Sequence, residues 1–447
     1  GAFNPAYVPS LLSVFSSADE ARIVKELGSR NLRSATLGDA CLVASGAVTP
    51  ADLARYRQRY QEILSGIRGG LSVFGLPPLQ KAKKLHELIF DTVMKAYHSE
   101  QTTLLEVLAE GNFNCVSATL LYNLLAAEFA LTTRVVAVPA HVYSQVKIGE
   151  DWIDIETTSR AGFNPLRDRS LPADGERAYI EDKGRGGNKL VIDTQRLVAL
   201  LYYNRGTLAH TQGRYADAAG LLLRALFIFP EHRESQDNFL ASMIDWAKKE
   251  NTAGNTGLAL KICDETDLAL GARQEMVLLR ENLVLGAAEA AARRNDFPTA
   301  VSIVEQYLRT LPQRLPQHDT ALRGYLLQWA QQLLLADRYD EMLRQIDRAA
   351  ARGQDTFVDS MRLHLVTEAA KRIAQKDGFA DGYAFYEKNY PQSLENAAIQ
   401  GNRLHIYSLW INDRIDAGQF EEAYRLNRDL LRLYPGNADV RNNAAWV

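Results

Sequence analysis

GNFNCVSATLLYNLLAAE, residues 111–128, sets a cysteine between a turn and a helix. Gly111-Asn112-Phe113-Asn114 has the composition of a tight turn, and Cys115 to Glu128 that of a strong helix. By default a lone cysteine is a small apolar core residue. At a helix N-terminus, however, the unpaired backbone N–H groups favour negative charge, and a thiolate gains from them. The stretch therefore reads either as core or as an activated nucleophile, and the surrounding chain has to decide.

Upstream, residues 1–110 read as helical. TPADLARYRQRYQEIL (49–64) has Thr49 as N-cap and Pro50 at the first helical position, and Pro77-Pro78 precedes a second helix, KAKKLHELIFDTVMKAY (81–97). Downstream the character changes. RVVAVP (134–139), HVYSQVKI (141–148) and WIDIETT (152–158) are β-branched or alternating runs, with Gly149-Glu150-Asp151 as the turn between the last two. Residues 159–190 are rich in Gly, Pro, Arg and Asp and read as an irregular loop. Within it GRGGNK (184–189) lacks the GK[ST] ending of a phosphate loop and reads as a surface turn.

From about residue 195 the pattern is helical and it repeats. GRYADA, NDFPTA, DRYDEM, DGFADG and GQFEEA each set a small or polar turn before an aromatic: Tyr215, Phe297, Tyr339, Phe379 and Phe420. The separations are 82, 42, 40 and 41 residues, so one unit is missing and would centre on Thr256-Gly257. Pro230, Pro312 and Pro435 each fall 15 residues after their aromatic. Such a period means stacked helical hairpins, with the repeat aromatics expected in the core. Gly206, Ala218, Ala225 and Pro230 fall at tetratricopeptide spacing, and the array resembles that family with a longer period. The resemblance implies a superhelix whose groove holds a peptide or protein partner.

A nucleophilic cysteine needs a base, and the base needs an orienting group. His141 opens a strand, and Asp154 and Glu156 sit on the next strand, on one face with Trp152. NCVSATLLYNLL…TTRVVAVPAHVYSQVKIGEDWIDIETT thus resembles the transglutaminase-like superfamily of cysteine enzymes. The resemblance implies a papain-like core in which the nucleophile starts a helix packed on an antiparallel sheet, with His and an acid on neighbouring strands. Matching the family's Trp-to-acid spacing assigns the acid role to Glu156, where the family has aspartate, with Asp154 as the alternative. Tyr143 matches the aromatic usually found two residues after the histidine, and Tyr143 and Trp152 are expected to shield the site. The Cys115 N–H would stabilise an oxyanion, with Asn114 or Asn112 as a second donor, although Asn114 reads more readily as the helix N-cap or a turn former.

The expected architecture is an α+β transglutaminase-like domain over 1–192 followed by an all-α tetratricopeptide-like repeat domain over 193–447. The expected activity is cysteine-dependent acyl chemistry, as a hydrolase or protease acting on a peptide or protein. The alternative is a retired domain serving as a binding scaffold. A net charge of −3 with 23% charged residues gives no support for a nucleic-acid partner. No apolar run approaches membrane-spanning length. Three widely spaced cysteines argue against disulfides and paired-cysteine zinc, and Cys41 and Cys263 read as buried apolar residues. The eight histidines form no HExxH, no acidic loop suggests calcium, and no cofactor or metal is expected. Free cysteines fit the cytoplasm, and a start without methionine fits export after removal of a signal segment.

Overall fold

The computed structural model describes residues 2–72, 75–100, 102–165, 189–311, 316–353, 355–394 and 396–444. Most of the GRGGNK turn, and Pro312, lie outside the described residues. The fold is about 70% helical, with nineteen α-helices and a small sheet among the described residues. It divides into two compact units, Gly1–Glu281 and Asn282–Val447. The boundary expected at 192/193 does not coincide with that division, because the first helices of the repeat region pack into the first unit's core.

The first unit opens with helices whose starts are capped as their sequences require. In α1 (Ala18–Gly28) the Ser17 side chain accepts from the Glu20 N–H, and in α2 (Leu37–Ala44) Thr36 does the same for Asp39. Thr49 caps α3 (Pro50–Ser72), accepting from the Asp52 N–H at 3.1 Å. Helix α4 (Pro78–Thr92) stops five residues short of the expected Tyr97. The chain there is drawn into other hydrogen bonds. The Lys95 N–H donates to the Gly111 carbonyl at 2.8 Å, and β1 (Ala96–Tyr97) pairs in parallel with β2 (Asn112–Phe113). Between them α5 (Leu104–Glu110) ends at Gly111, with φ +83°, where a Cβ would meet the Val93 carbonyl at 2.3 Å. Only glycine fits that crossing.

Helix α6 (Cys115–Glu128) has no polar stripe, and ten of its residues from Val116 to Leu125 are buried, so it is the central helix of the unit. Strands β3 (Thr133–Val138), β4 (His141–Ile148), β5 (Asp151–Ile155) and β6 (Leu190–Ile192) form an antiparallel sheet in the order β5-β4-β3-β6. The three expected strands are present, but the third ends at Ile155 instead of running to Thr158, so Glu156 lies just past it, where its N–H turns to the Gly162 carbonyl. The β4–β5 turn is two residues, with Gly149 at φ +59°, the conformation a tight hairpin requires. Strand β6 falls at the end of the segment read as loop, where its three residues are too few to show a period.

The repeat region is built of helical hairpins: α7 (Thr194–Thr211), α8 (Tyr215–Ile228), α9 (Arg233–Thr252) and α10 (Thr256–Leu270) in the first unit. Helix α11 (Gln274–Arg293) contains the point of division. The second unit holds α12 (Phe297–Thr310), α13 (Pro316–Leu335), α14 (Tyr339–Ala350), α15 (Thr356–Lys376), α16 (Phe379–Asn389), α17 (Ala397–Asp416), α18 (Phe420–Leu433) and α19 (Ala438–Ala444). Every repeat aromatic is the first residue of a helix, and the missing unit starts a helix at Thr256, as the period required. The residue two before the helix is left-handed in five of the six turns: Gly213, Gly254, Asn295, Asp337 and Gly418. These are the residue types that tolerate it. In the sixth, Gly378, one residue before Phe379, has φ +123° with an extended ψ, which glycine alone adopts readily. The aromatics themselves are not core. Four are half-buried, and Phe420 is 64% exposed, because a first-turn side chain sits at the end of its hairpin.

Candidate active site

The site is assembled where the N-terminus of α6 meets the start of β4. Asn114 caps the helix, its Oδ1 accepting from the Val116 and Ser117 N–H groups at 3.0 and 3.2 Å. The Ser117 hydroxyl in turn accepts from the Asn114 N–H at 3.0 Å, completing a capping box. This fixes Cys115 as the first helical residue, partly exposed, with its thiol near enough to the His141 ring to raise the ring's basicity. His141 Nε2 meets Glu156 Oε2 at 2.7 Å, and both side chains are buried. With Nε2 engaged by the carboxylate, Nδ1 is the ring nitrogen left for the thiol.

The sheet register explains why Glu156 and not Asp154 reaches the ring. Gln145 lies opposite Asp154, and Glu156, two residues further toward the His141 end of β4, follows the last paired residue of β5, Ile155. Asp154 instead accepts from Gln145 Nε2 at 2.6 Å. Glu156 is held from behind. Its other oxygen accepts from the Thr158 N–H at 3.1 Å and the Thr158 hydroxyl at 2.5 Å. Its backbone N–H donates to the Gly162 carbonyl at 2.8 Å. The 157–162 loop is pinned by His86, whose Nε2 lies 2.8 Å from the Ser159 carbonyl, and by the Thr119–Thr157 hydroxyl pair at 2.8 Å. Burial pulls His86 down to about 4, so the ring is neutral and donates to that carbonyl.

On His141, burial disfavours the imidazolium, but hydrogen bonds to Cys115 and Glu156 and their negative charge outweigh it. The ring rises from 6.5 to about 9. The other two thiols lie elsewhere and are fully buried; burial pushes Cys41 far up and Cys263 to about 11. Tyr143 is buried and stacked on His141 at 6.4 Å, as expected of a shielding residue. Trp152 shields something else: its ring lies under the Arg134 guanidinium at 3.9 Å.

Cys115 and His141 line a cavity of about 580 Å³. One wall comes from the four-stranded sheet and its flank, including Tyr97, Val138 and Ile192. The facing wall comes from the first repeat helices, with Tyr203 and Asn204 on α7 and the Phe229–Glu234 segment leading into α9. Asn204 Nδ2 donates to Thr102 Oγ1 at 2.6 Å, tying that wall to the segment before α5. Of the residues singled out from sequence, His141 and Glu156 are in contact and Cys115 shares the cavity with His141, whereas Tyr97, His86 and the repeat-borne wall carry no sequence expectation. The wall has no local signal, since its residues are drawn from helices that read as binding repeats. His86 was visible only as a non-HExxH histidine. Among the described residues no group of three His, Cys, Asp or Glu could hold a metal ion, and no helix is long and apolar enough to cross a membrane. No family model matches the chain, and no curated protein matches it.

Proposed function

We propose that the protein is a cysteine-dependent acyl-transfer enzyme of the transglutaminase-like type, acting on a peptide or protein amide. The observation that carries this reading is the buried His141–Glu156 pair, 2.7 Å apart, with the partly exposed Cys115 beside the ring and both Cys115 and His141 lining a cavity. With the shared proton already on His141, the Cys115 sulfur attacks the acyl carbon while the carbonyl electron pair moves to oxygen. Collapse breaks the carbon–nitrogen bond, and the departing amine takes the proton from the imidazolium. The resulting thioester is resolved by water, or by an amine, whose proton returns through His141. Glu156 stays anionic and holds the ring in register. Substrate lies between the sheet and the first repeat helices, so the repeats act as one wall of the active-site cleft. A retired scaffold would have no use for a buried carboxylate held by three hydrogen bonds on the side of the ring away from the thiol.

The test is alkylation by iodoacetamide followed residue by residue with peptide mass spectrometry. In the folded protein Cys115 is expected to react rapidly at pH 7, while Cys41 and Cys263 stay unmodified. His141→Ala is expected to slow Cys115 on the order of 10-fold or more. A Cys115 inert until the chain unfolds, or acyl-transfer activity surviving Cys115→Ala, would sink the proposal.

A further inference from the structure

Attack on a carbonyl places negative charge on its oxygen, and that charge needs two aimed donors. The first turn of α6 offers one. The Val116 and Ser117 N–H groups go to Asn114 Oδ1, and the Ala118 N–H goes to the Asn114 carbonyl at 3.0 Å. Among the described residues no acceptor meets the Cys115 N–H. Both asparagines weighed for the second donor are engaged elsewhere. Asn114 Nδ2 donates to the Ser99 carbonyl at 3.0 Å, and Asn112 Nδ2 to Glu110 at 2.9 Å.

Tyr97 lines the same cavity as Cys115 and His141. Its hydroxyl has no hydrogen-bond partner among the described residues, and the residue is 54% exposed. The backbone around it is locked to the loop that carries the nucleophile. Lys95 and His98 N–H groups donate to the Gly111 and Phe113 carbonyls at 2.8 and 2.9 Å, and the parallel register sets Tyr97 beside Phe113, ring edge on. Burial first, then negative charge at Cys115 and Glu156, raises the phenol above its ordinary range. The hydroxyl therefore keeps its proton and remains a donor.

Resting on the acyl-transfer reading above, we propose that the Tyr97 hydroxyl is the second oxyanion donor, paired with the Cys115 N–H. The role is that of a catalytic residue: the phenol donates to the carbonyl oxygen as the sulfur–carbon bond forms and the carbonyl pair becomes an oxyanion. It then releases that oxygen as the tetrahedral adduct expels its leaving group.

The experiment compares two reactions at the same sulfur. Acylation by p-nitrophenyl acetate passes through an oxyanion; alkylation by iodoacetamide displaces iodide at a saturated carbon and does not. Tyr97→Phe is expected to slow the nitrophenolate burst at least 10-fold, and up to about 10³-fold, while the Cys115 alkylation rate stays at the wild-type value. That unchanged alkylation also shows the variant is folded around its site. An unchanged burst would overturn the proposal. An equal fall in both rates would overturn it too, assigning Tyr97 to the thiolate. A wild-type burst that persists in Cys115→Ala, or no burst at all, would overturn the acyl-transfer reading itself and this proposal with it.

Discussion

At the scale of single residues, the acid is the point on which the site turns. Glu156 and Asp154 sit two apart on one face, and only Glu156 touches the ring. Glu156→Gln keeps a hydrogen-bonding shape but removes the charge, and is expected to lower p-nitrophenyl acetate acylation by on the order of 10²–10⁴-fold; Asp154→Asn is expected to change it less than about 3-fold. The reverse ranking would mean the observed contact is not the working one. The pH dependence follows from the raised His141. Its imidazolium persists to about pH 9, so proton donation to a leaving group should fail on the alkaline side near 9. In Glu156→Gln that limb should move to lower pH. The same shift is a stability term. A group raised from 6.5 to about 9 contributes in full below pH 6.5, and its contribution fades as pH rises through 9. Urea unfolding of wild type and His141→Ala should therefore converge between those pH values.

At the scale of elements, the Glu156 loop works by close approach. A Cβ at Gly162 would lie 2.1 Å from the Glu156 carbonyl oxygen and 2.8 Å from its Cβ. Neither is the far end of a flexible side chain, so the loop has to shift. Gly162→Ala is expected to cost about 1–3 kcal/mol in urea unfolding and to slow acylation by misplacing the acid. Wild-type stability and rate in that variant would show that the loop does not fix Glu156. The crossing at Gly111 uses the same device one layer away, where the Val93 carbonyl passes under the turn that presents Cys115.

At the scale of the whole molecule, the candidate site belongs to the first compact unit. Every residue lining its cavity lies at or before Glu234. Residues 2–16 strap the same unit: Tyr7 and Ser10 bond Glu265 on α10, and Phe3 packs edge-on against Phe227 at 5.5 Å. A chain ending at Arg293 keeps these contacts and the whole of α11. It is expected to alkylate at Cys115 with the rate and pH profile of the full chain. Loss of that reactivity would show that residues beyond 293 support the site.

Local sequence patterns specify the elements around the candidate site and the residue types those elements present. An asparagine before a helix, a strand opening at His141, a glycine-led hairpin and a 41-residue period are short-range patterns, set by backbone sterics, capping and side-chain alternation. They were enough to put Cys115 at a helix start and His141 at a strand start, to leave Glu156 and Asp154 as the two candidate acids, and to find the unit beginning at Thr256. Tertiary structure decided what those patterns do not encode. It chose Glu156 over Asp154 through strand register, and ended α4 at Thr92 because Lys95 to His98 bond the 111–113 turn. It also spent Asn114 on the cap and brought Tyr97 and the repeat helices to the cleft. Each of these depends on which distant backbone group a residue meets, and only the packed chain specifies that.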